Sequence, residues 1–526
     1  MRVLVTGGTG VVGRATVDEL LARGHDVRLF SRHAMDDVKE WAHRVEPYPG
    51  NVANEVEVRG AADGCEAVLH LTAIVAETPP DTTFETVNVG GTRNLVREAE
   101  RAGVRRFVYV SSLGADHGES PYHKSKLRSE EVAKTFDGNC IIVRLGNVYG
   151  GGDEQLSLIL RMVRSLPAVP VIAGGDKPFQ PIWASDAGAA LAIAAERDDL
   201  AGRELEVAGP EQTTYDDVVQ RLAKITKRDP IRLPVPVPLA SLALRAANAL
   251  GAEVPVDSGQ LKMLSEGNVV TSPDGNALMT VFGLAGTSLD DGLKLLADAQ
   301  PEVLPEEGVG ALMRKRFWAD VDGSRMTPEG LFEHFISHFA ECTPWHVDVA
   351  AEPGTPTVPA LGETLTLKLP LRGNVQIRIL ELEERRMTLC TVSGHPLAGA
   401  VRFLSEQRGA KVRFEVQVYD RASNIADWIV MNPIGARLQD ATWRETVERV
   451  VKESGGRAAD GVEHESAKLD EAQATDVNEW LERLVTARHQ EDREVRRDVR
   501  PGDRAPNESS KPYIEQREET RDASGA

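Results

Sequence analysis

A tyrosine and a lysine four positions apart, Tyr122 and Lys126 in Tyr122-His123-Lys124-Ser125-Lys126, carry the first chemical expectation. On a helix this spacing stacks the phenol and the ammonium on one face, one turn apart. A phenol with an ordinary pKa near 10 moves protons poorly at neutral pH, and an adjacent ammonium favours the phenolate and brings the pKa toward the working range. Such a pair suits proton transfer to or from an oxygen. The competing reading is that Tyr122 packs or faces solvent.

A redox partner for that proton has its own place at the start of the chain. Val3-Leu4-Val5-Thr6-Gly7-Gly8-Thr9-Gly10-Val11-Val12-Gly13 sets three glycines between an apolar strand and a helix. Gly7 permits the tight turn, Gly10 removes a side chain that would block phosphates, and Gly13 lets the helix pack on the strand. The helix N-terminus then faces an anion with free N-H groups and a favourable dipole. Val17, Leu20 and Leu21 continue one buried face, and Gly24 supplies the stop. The expectation is a dinucleotide site. At the end of the second strand, Asp26-Val27-Arg28-Leu29-Phe30-Ser31-Arg32, a site for NAD(H) usually carries an acidic residue to receive the ribose 2'-hydroxyl. Ser31 and Arg32 stand there instead, and a hydroxyl with a guanidinium can hold a 2'-phosphate. NADP(H) is the expected cofactor, with NAD(H) left open.

The Gly7 to Gly13 run, His70-Leu71-Thr72-Ala73, Asn88-Val89-Gly90-Gly91-Thr92-Arg93-Asn94-Leu95 and Val110-Ser111-Ser112, in that order, resemble the extended and atypical short-chain dehydrogenase/reductases of the NAD-dependent epimerase/dehydratase type. Arg144-Leu145-Gly146-Asn147-Val148-Tyr149-Gly150 and the stretch from Gly175 to Asp186 look like the start of that family's substrate subdomain. Gln260-Leu261-Lys262-Met263-Leu264 and Phe282-Gly283-Leu284 are similar to the branch that contains the complex I accessory subunit. The resemblance covers roughly residues 1 to 300. It implies Ser112, Tyr122 and Lys126 as the catalytic set, with Ser111 as the fallback serine. It implies a cofactor lined by Gly7, Thr9, Gly10, Val11, Val12, Gly13, Ser31, Arg32, Leu71, Thr72, Ala73, Asn88, Lys126 and Asn147. Only nine residues separate Ser112 from Tyr122, fewer than in most extended members. The implied reaction is hydride transfer between a nicotinamide and a carbon bearing oxygen, on a small apolar carbonyl or alcohol. The alternative is a non-catalytic NADP(H)-binding sensor or assembly protein of the complex I accessory-subunit type. Epimerase or dehydratase chemistry on a nucleotide sugar is a weaker third reading, because nothing in the sequence identifies a sugar-nucleotide site.

The elements that must position these residues follow from the patterning. At 526 residues the chain exceeds one hydrophobic core. To about residue 304, short apolar runs alternate with helical patterns, which implies an α/β Rossmann fold, a doubly wound parallel sheet, with a small substrate subdomain over about 150–300. From about 305 to 453, a helical start at Thr327-Pro328-Glu329 leads into period-two segments such as Thr364 to Leu369 and Val412 to Val416, an α+β pattern closed by a helix from Ala441 to Val451. That domain looks like the START-like helix-grip class, whose resemblance rests on Gly394 to Phe403 and implies a cavity for a hydrophobic ligand. A domain that only packs or dimerises is the other reading. From about 454 to 526 the sequence is charged and poor in large apolar residues, and the expectation is a disordered tail. Val477, Trp480, Leu481 and Leu484 are the exception, a single apolar stripe if helical, able to dock on the body or a partner.

The formal net charge of -20 argues against nucleic acid or an anionic membrane as partner, so a small apolar molecule is the expected one. Oligomeric state is left open. Cys65, Cys140, Cys342 and Cys390 are scattered, without zinc or disulfide spacing, which fits a reducing, cytoplasmic setting. The apolar strand begins by Val3, leaving no room for a signal peptide before the fold, and no apolar run is long enough to span a bilayer. His334 and His338 lie four apart on a helix but lack a third ligand, so they read as packed or solvated, and no metal is expected. Met162, Met263 and Met279 read as core, and His70 as structural.

Overall fold

Runs of Val, Leu and Ile without polar interruption suit strands buried on both faces. In the computed structural model, which describes residues 1–42, 44–166, 168–172, 175–235, 267–344, 347–349, 357–369, 373–423 and 436–498, these runs form one parallel sheet. Its strands are β1 (Arg2–Thr6), β2 (Asp26–Ser31), β3 (Val45–Pro49), β4 (Ala67–His70), β5 (Arg106–Ser112), β6 (Asn139–Leu145) and β7 (Glu204–Val207). They lie in the order β7-β6-β5-β4-β1-β2-β3, all parallel. The chain winds outward from β1 through β3 and returns on the other side at β4. The switch point, where such sheets open a crevice at their carboxyl ends, is therefore between β1 and β4.

Alternate side chains of each strand enter opposite cores. Val3, Val5, Val108 and Val110 join Val17 and Leu20 of α1 (Val11–Ala22). Leu4, Phe107 and Tyr109 join Leu95 of α2 (Gly91–Arg101) and Ala133 of α3 (Pro121–Ala133). The first core also takes the alanine-rich face of α5 (Ala184–Glu196), which packs on α1. A third core joins Tyr149 to α4 (Leu156–Ser165), the helix Tyr215–Ile225 and α6 (Leu289–Asp298) through Leu160, Val163, Val218, Leu222 and Leu293.

The C-terminal part is antiparallel. β8 (Val309–Asp322), β9 (Asp348–Val349), β10 (Thr364–Leu369), β11 (Gly373–Glu383), β12 (Arg386–Thr391), β13 (Leu397–Arg408) and β14 (Lys411–Ala422) pair in the order β9-β10-β11-β12-β13-β14-β8. One face of this sheet forms a single apolar cluster with α7 (Pro328–Ser337) and α8 (Ala436–Glu453), including Phe317, Phe332, Phe335, Phe403, Phe414 and Val447.

The disordered tail expected from residue 454 is corrected as far as Asp498. β15 (Arg457–Ala458) and β16 (Glu463–Lys468) pair with β8, and α9 (Glu471–Asp498) follows. Backbone pairing to an open strand edge needs no apolar side chains, so composition does not register it. The stripe on α9 docks on the body: Leu481 is buried, and Trp480 stands edge-on to Tyr419 with its ring centroids 5.7 Å apart. Met279, expected in the core, is 47% exposed on a one-turn helix. Gln260 to Leu264, with Met263, and residues 499–526 of the expected tail lie outside the described residues. Among the described residues no helix is long and apolar enough to cross a membrane.

Candidate cofactor and active site

Strand register brings the expected residues to one edge. Thr6 at the end of β1 pairs with Phe30 of β2 and His70 of β4, His70 pairs with Tyr109 of β5, and Ser112 pairs with Leu145 of β6. The segments that follow these strand ends carry Gly7 to Gly13, Ser31 and Arg32, Leu71 to Ala73, and Asn147. His70 ties the edge together: its Nδ1 lies 2.7 Å from Thr6 Oγ1 and its Nε2 3.1 Å from Thr92 Oγ1. Burial, with the Lys126 ammonium nearby, pushes its pKa down to about 3, so it is neutral and holds structure.

The glycines of the turn differ in what requires them. Gly7 has φ +71°, and a Cβ there would meet Thr72 N at 2.8 Å. A Cβ on Gly13 would sit 2.1 Å from Gly7 O, so the helix could not close on the turn. A Cβ on Gly10 would meet only Gly7 O, at 3.6 Å. Nothing in the chain itself demands glycine at position 10, and the space it leaves open faces the start of α1. That start has no side-chain cap, so the N-H groups of the first turn, Val11, Val12 and Gly13, are left for an anion. An open cradle over an uncapped helix N-terminus fits a pyrophosphate.

The far end of the dinucleotide site is less simple. Arg32 is exposed, while the Ser31 hydroxyl donates to the Asp37 carboxylate. Sequence reading missed Asp37, because its six-residue offset from Ser31 has no strand or helix period. Asn88 fixes the lining loop: its Oδ1 accepts from Ile74 N at 2.8 Å, and its Nδ2 donates to Ile74 O at 3.1 Å and Ser125 Oγ at 3.0 Å. Ser125, also missed, donates to Tyr122 O at 2.7 Å and so ties the loop to α3.

At the reacting end, Ser120 caps α3 by accepting from His123 N at 3.1 Å, and Pro121 opens the helix. This sets Tyr122 one residue inside, where Ser112 acts on its phenol, while the Ser112 hydroxyl itself donates to Leu113 O at 3.2 Å. Burial raises the phenol to about 12, and Ser112 opposes that rise. Lys126 is engaged elsewhere: its Nζ donates to Val110 O at 2.7 Å and lies 4.5 Å from the centre of the Tyr109 ring. Burial lowers the ammonium to about 7, against the pull of Glu130. Two buried polar atoms here have no hydrogen-bond partner among the described residues, Ser111 Oγ and Asn147 Oδ1. A buried acceptor or hydroxyl left open is costly unless a ligand meets it, so both fit a pocket for a polar reacting group.

His334 and His338 stack with ring centroids 4.2 Å apart, and no group of three metal-ligating side chains gathers among the described residues.

Residues 3–208 match the NAD dependent epimerase/dehydratase family. The chain is similar to Sterol demethylase protein B of Methylococcus capsulatus, 32% identical over 260 residues, covering 45% of this chain and 78% of that protein. It is similar to the Ceramide reductase of Caulobacter vibrioides, 30% identical over 247 residues, covering 46% and 76%. It is also similar to NADH dehydrogenase (ubiquinone) 1 alpha subcomplex subunit 9 of Arabidopsis thaliana, 26% identical over 279 residues, covering 51% and 69%.

Proposed function

Since this chain belongs to the NAD dependent epimerase/dehydratase family and is an NAD(P)-dependent oxidoreductase, we propose that it interconverts an alcohol and a carbonyl on an apolar substrate, using NADP(H). The observation that carries the reading is the Ser112–Tyr122 pair, with Ser111 Oγ and Asn147 Oδ1 buried and without a hydrogen-bond partner among the described residues. The nicotinamide, when bound, supplies or accepts the hydride. Ser112 orients the substrate oxygen and Tyr122 gives it a proton in reduction, or takes one in oxidation. Lys126, one turn along α3 from Tyr122, is anchored to Val110 O of β5. Gly10 and the first turn of α1 hold the pyrophosphate. An apolar substrate is supported by two relatives whose names are a sterol demethylase protein and a ceramide reductase.

NADP(H) over NAD(H) is supported by the exposed Arg32 at the end of β2, with Asp37 working against it by taking the Ser31 hydroxyl. Titration with NADPH and NADH, followed by nicotinamide fluorescence, and turnover on a panel of sterol, long-chain and small apolar ketones test the whole reading. NADPH binding with turnover on one apolar class is expected. Binding without turnover on any of them points to the second reading, a cofactor-binding sensor or assembly protein. That reading is favoured by the likeness to a complex I subunit and by a phenol held far above neutrality.

The antiparallel domain reads as helix-grip, supported by the one apolar cluster that α7 and α8 share with its sheet. A hydrophobic ligand that carries an acceptor is favoured there by Trp443 Nε1, a buried donor without a hydrogen-bond partner among the described residues, on a ring 5.9 Å from that of Phe403. Native mass spectrometry of the full chain should show a co-purifying apolar species, and its absence sinks the idea.

A further inference from the structure

Asn147 lies just past the end of β6, and Gln155 holds its side chain. Asn147 Nδ2 donates to Gln155 Oε1 at 2.8 Å, and this leaves Oδ1 buried and without a hydrogen-bond partner among the described residues. Gln155 in turn is the residue that precedes α4, where the Asp153 carboxylate gathers the helix start: its Oδ1 accepts from Gln155 N at 2.9 Å and Leu156 N at 2.6 Å. The other end of α4 lies against the C-terminal sheet. Arg164 is 5% exposed and donates to Gln376 Oε1 of β11 at 2.9 Å and to Ala297 O of α6 at 3.1 Å. Arg161 donates to Ser393 Oγ at 3.0 Å, in the turn between β12 and β13. A single ten-residue helix thus has one end on the antiparallel domain and the other on a pocket asparagine.

We propose that the C-terminal domain is a positioning part of the reductase site, acting through α4. Gln376 and Ser393 hold Arg164 and Arg161, these fix α4, and Gln155 turns Asn147 so that its Oδ1 accepts an N-H of the nicotinamide carboxamide. The amide orientation is the essential point. Asn147 can offer either its oxygen or its NH2 to the pocket, and an acceptor at Gln155 Oε1 selects the oxygen. Asn147 follows Leu145, the register partner of Ser112, by two residues, which puts it at the reacting end rather than over the pyrophosphate. Gln155 and Arg164 are positioning residues. The inference rests on the proposed binding of NADP(H) at this site.

The test compares NADPH with 2'-phospho-ADP-ribose, which has the same adenosine and pyrophosphate but no nicotinamide, on the full chain. Gln155→Leu removes the acceptor and is expected to weaken NADPH about threefold to tenfold, the size of one hydrogen bond, while leaving 2'-phospho-ADP-ribose unchanged. Gln155→Glu keeps an acceptor and restores NADPH affinity. Arg164→Met, more than two turns away, is expected to show the same selective loss in smaller measure. The double variant Gln155→Leu/Arg164→Met should be no weaker than Gln155→Leu alone, since both act through one amide. Equal loss of both ligands, or no loss of either, overturns the role of Gln155. An Arg164→Met variant with wild-type NADPH affinity, or a strictly additive double variant, overturns the role of the C-terminal domain. Wild-type protein that binds neither ligand would instead count against the NADP(H) reading itself.

Discussion

Tyr122 keeps its proton through neutral pH, because burial holds its phenol at about 12 and only Ser112 opposes this. A protonated phenol is ready to donate to a carbonyl oxygen and must first lose its proton to serve oxidation. Reductive kcat/KM is therefore expected to stay level through neutrality, and oxidative kcat/KM to climb as pH rises toward alkaline values, as a pH profile in each direction would reveal. Tyr122→Phe should lower turnover by about 10²- to 10⁴-fold and leave NADPH affinity near wild type. A variant that turns over normally removes the phenol from the chemistry. Lys126 gives a stability signature. Its ammonium is depressed to about 7 in the folded chain against about 10.4 when unfolded, so between those values the unfolded chain binds more protons and stability rises with pH. Relative to Lys126→Met, the wild type should gain stability from about pH 7 to 10, at no more than about 1.4 kcal/mol per pH unit. Denaturant titrations of both at pH 6.5, 8 and 9.5 check the sign. Sequence alone names Tyr122 and Lys126 from their spacing. It cannot show that the lysine reaches Val110 O rather than the phenol, because i and i+4 side chains share a face without having to touch.

At the scale of the element, the β1–α1 turn is legible because each glycine answers a backbone constraint that type and spacing report. The structure separates two such constraints that look alike in sequence. Gly13→Ala forces a methyl to within 2.1 Å of Gly7 O and is expected to cost about 1–3 kcal/mol of stability. Gly10→Ala meets nothing nearer than 3.6 Å, so it should fold with wild-type stability and lose cofactor affinity. Thermal melts with NADPH titrations of both variants distinguish the roles, and a Gly10→Ala protein that binds NADPH normally would remove the pyrophosphate from this turn. The segment after Gly455 was illegible for the opposite reason. β16, Glu-His-Glu-Ser-Ala-Lys, has no apolar alternation, and its place beside β8 rests on the backbone ladder with the Arg314–Glu465 ion pair at 2.9 Å. The stripe on α9 was legible, since Val477, Trp480, Leu481 and Leu484 keep a helical period whatever surrounds them.

Across the whole molecule, one carboxylate draws together the linker, the antiparallel sheet and the last described helix. Glu302 accepts from Arg378 of β11 at 2.9 Å and Arg488 of α9 at 2.7 Å, and His489 lies 3.6 Å away. The arginines are long-range partners that no local pattern could pair. Although burial raises its pKa, the two guanidiniums and His489 prevail and hold the Glu302 carboxyl well below the usual range. The same Arg378 also donates to Asp298 O at the end of α6, so this joint fixes the domain that holds α4. Removing one partner of a buried ionic group leaves the others uncompensated, and Glu302→Gln is expected to cost about 3–5 kcal/mol. Because the folded pKa is depressed, the carboxylate's contribution is complete above the unfolded value of about 4.3 and fades as pH falls through the lower folded value. The gap between wild type and Glu302→Gln in denaturant midpoint should therefore be widest near neutrality and narrow in acid. A gap that stays constant down to pH 3 would mean that the charge of Glu302 is not what joins the two domains.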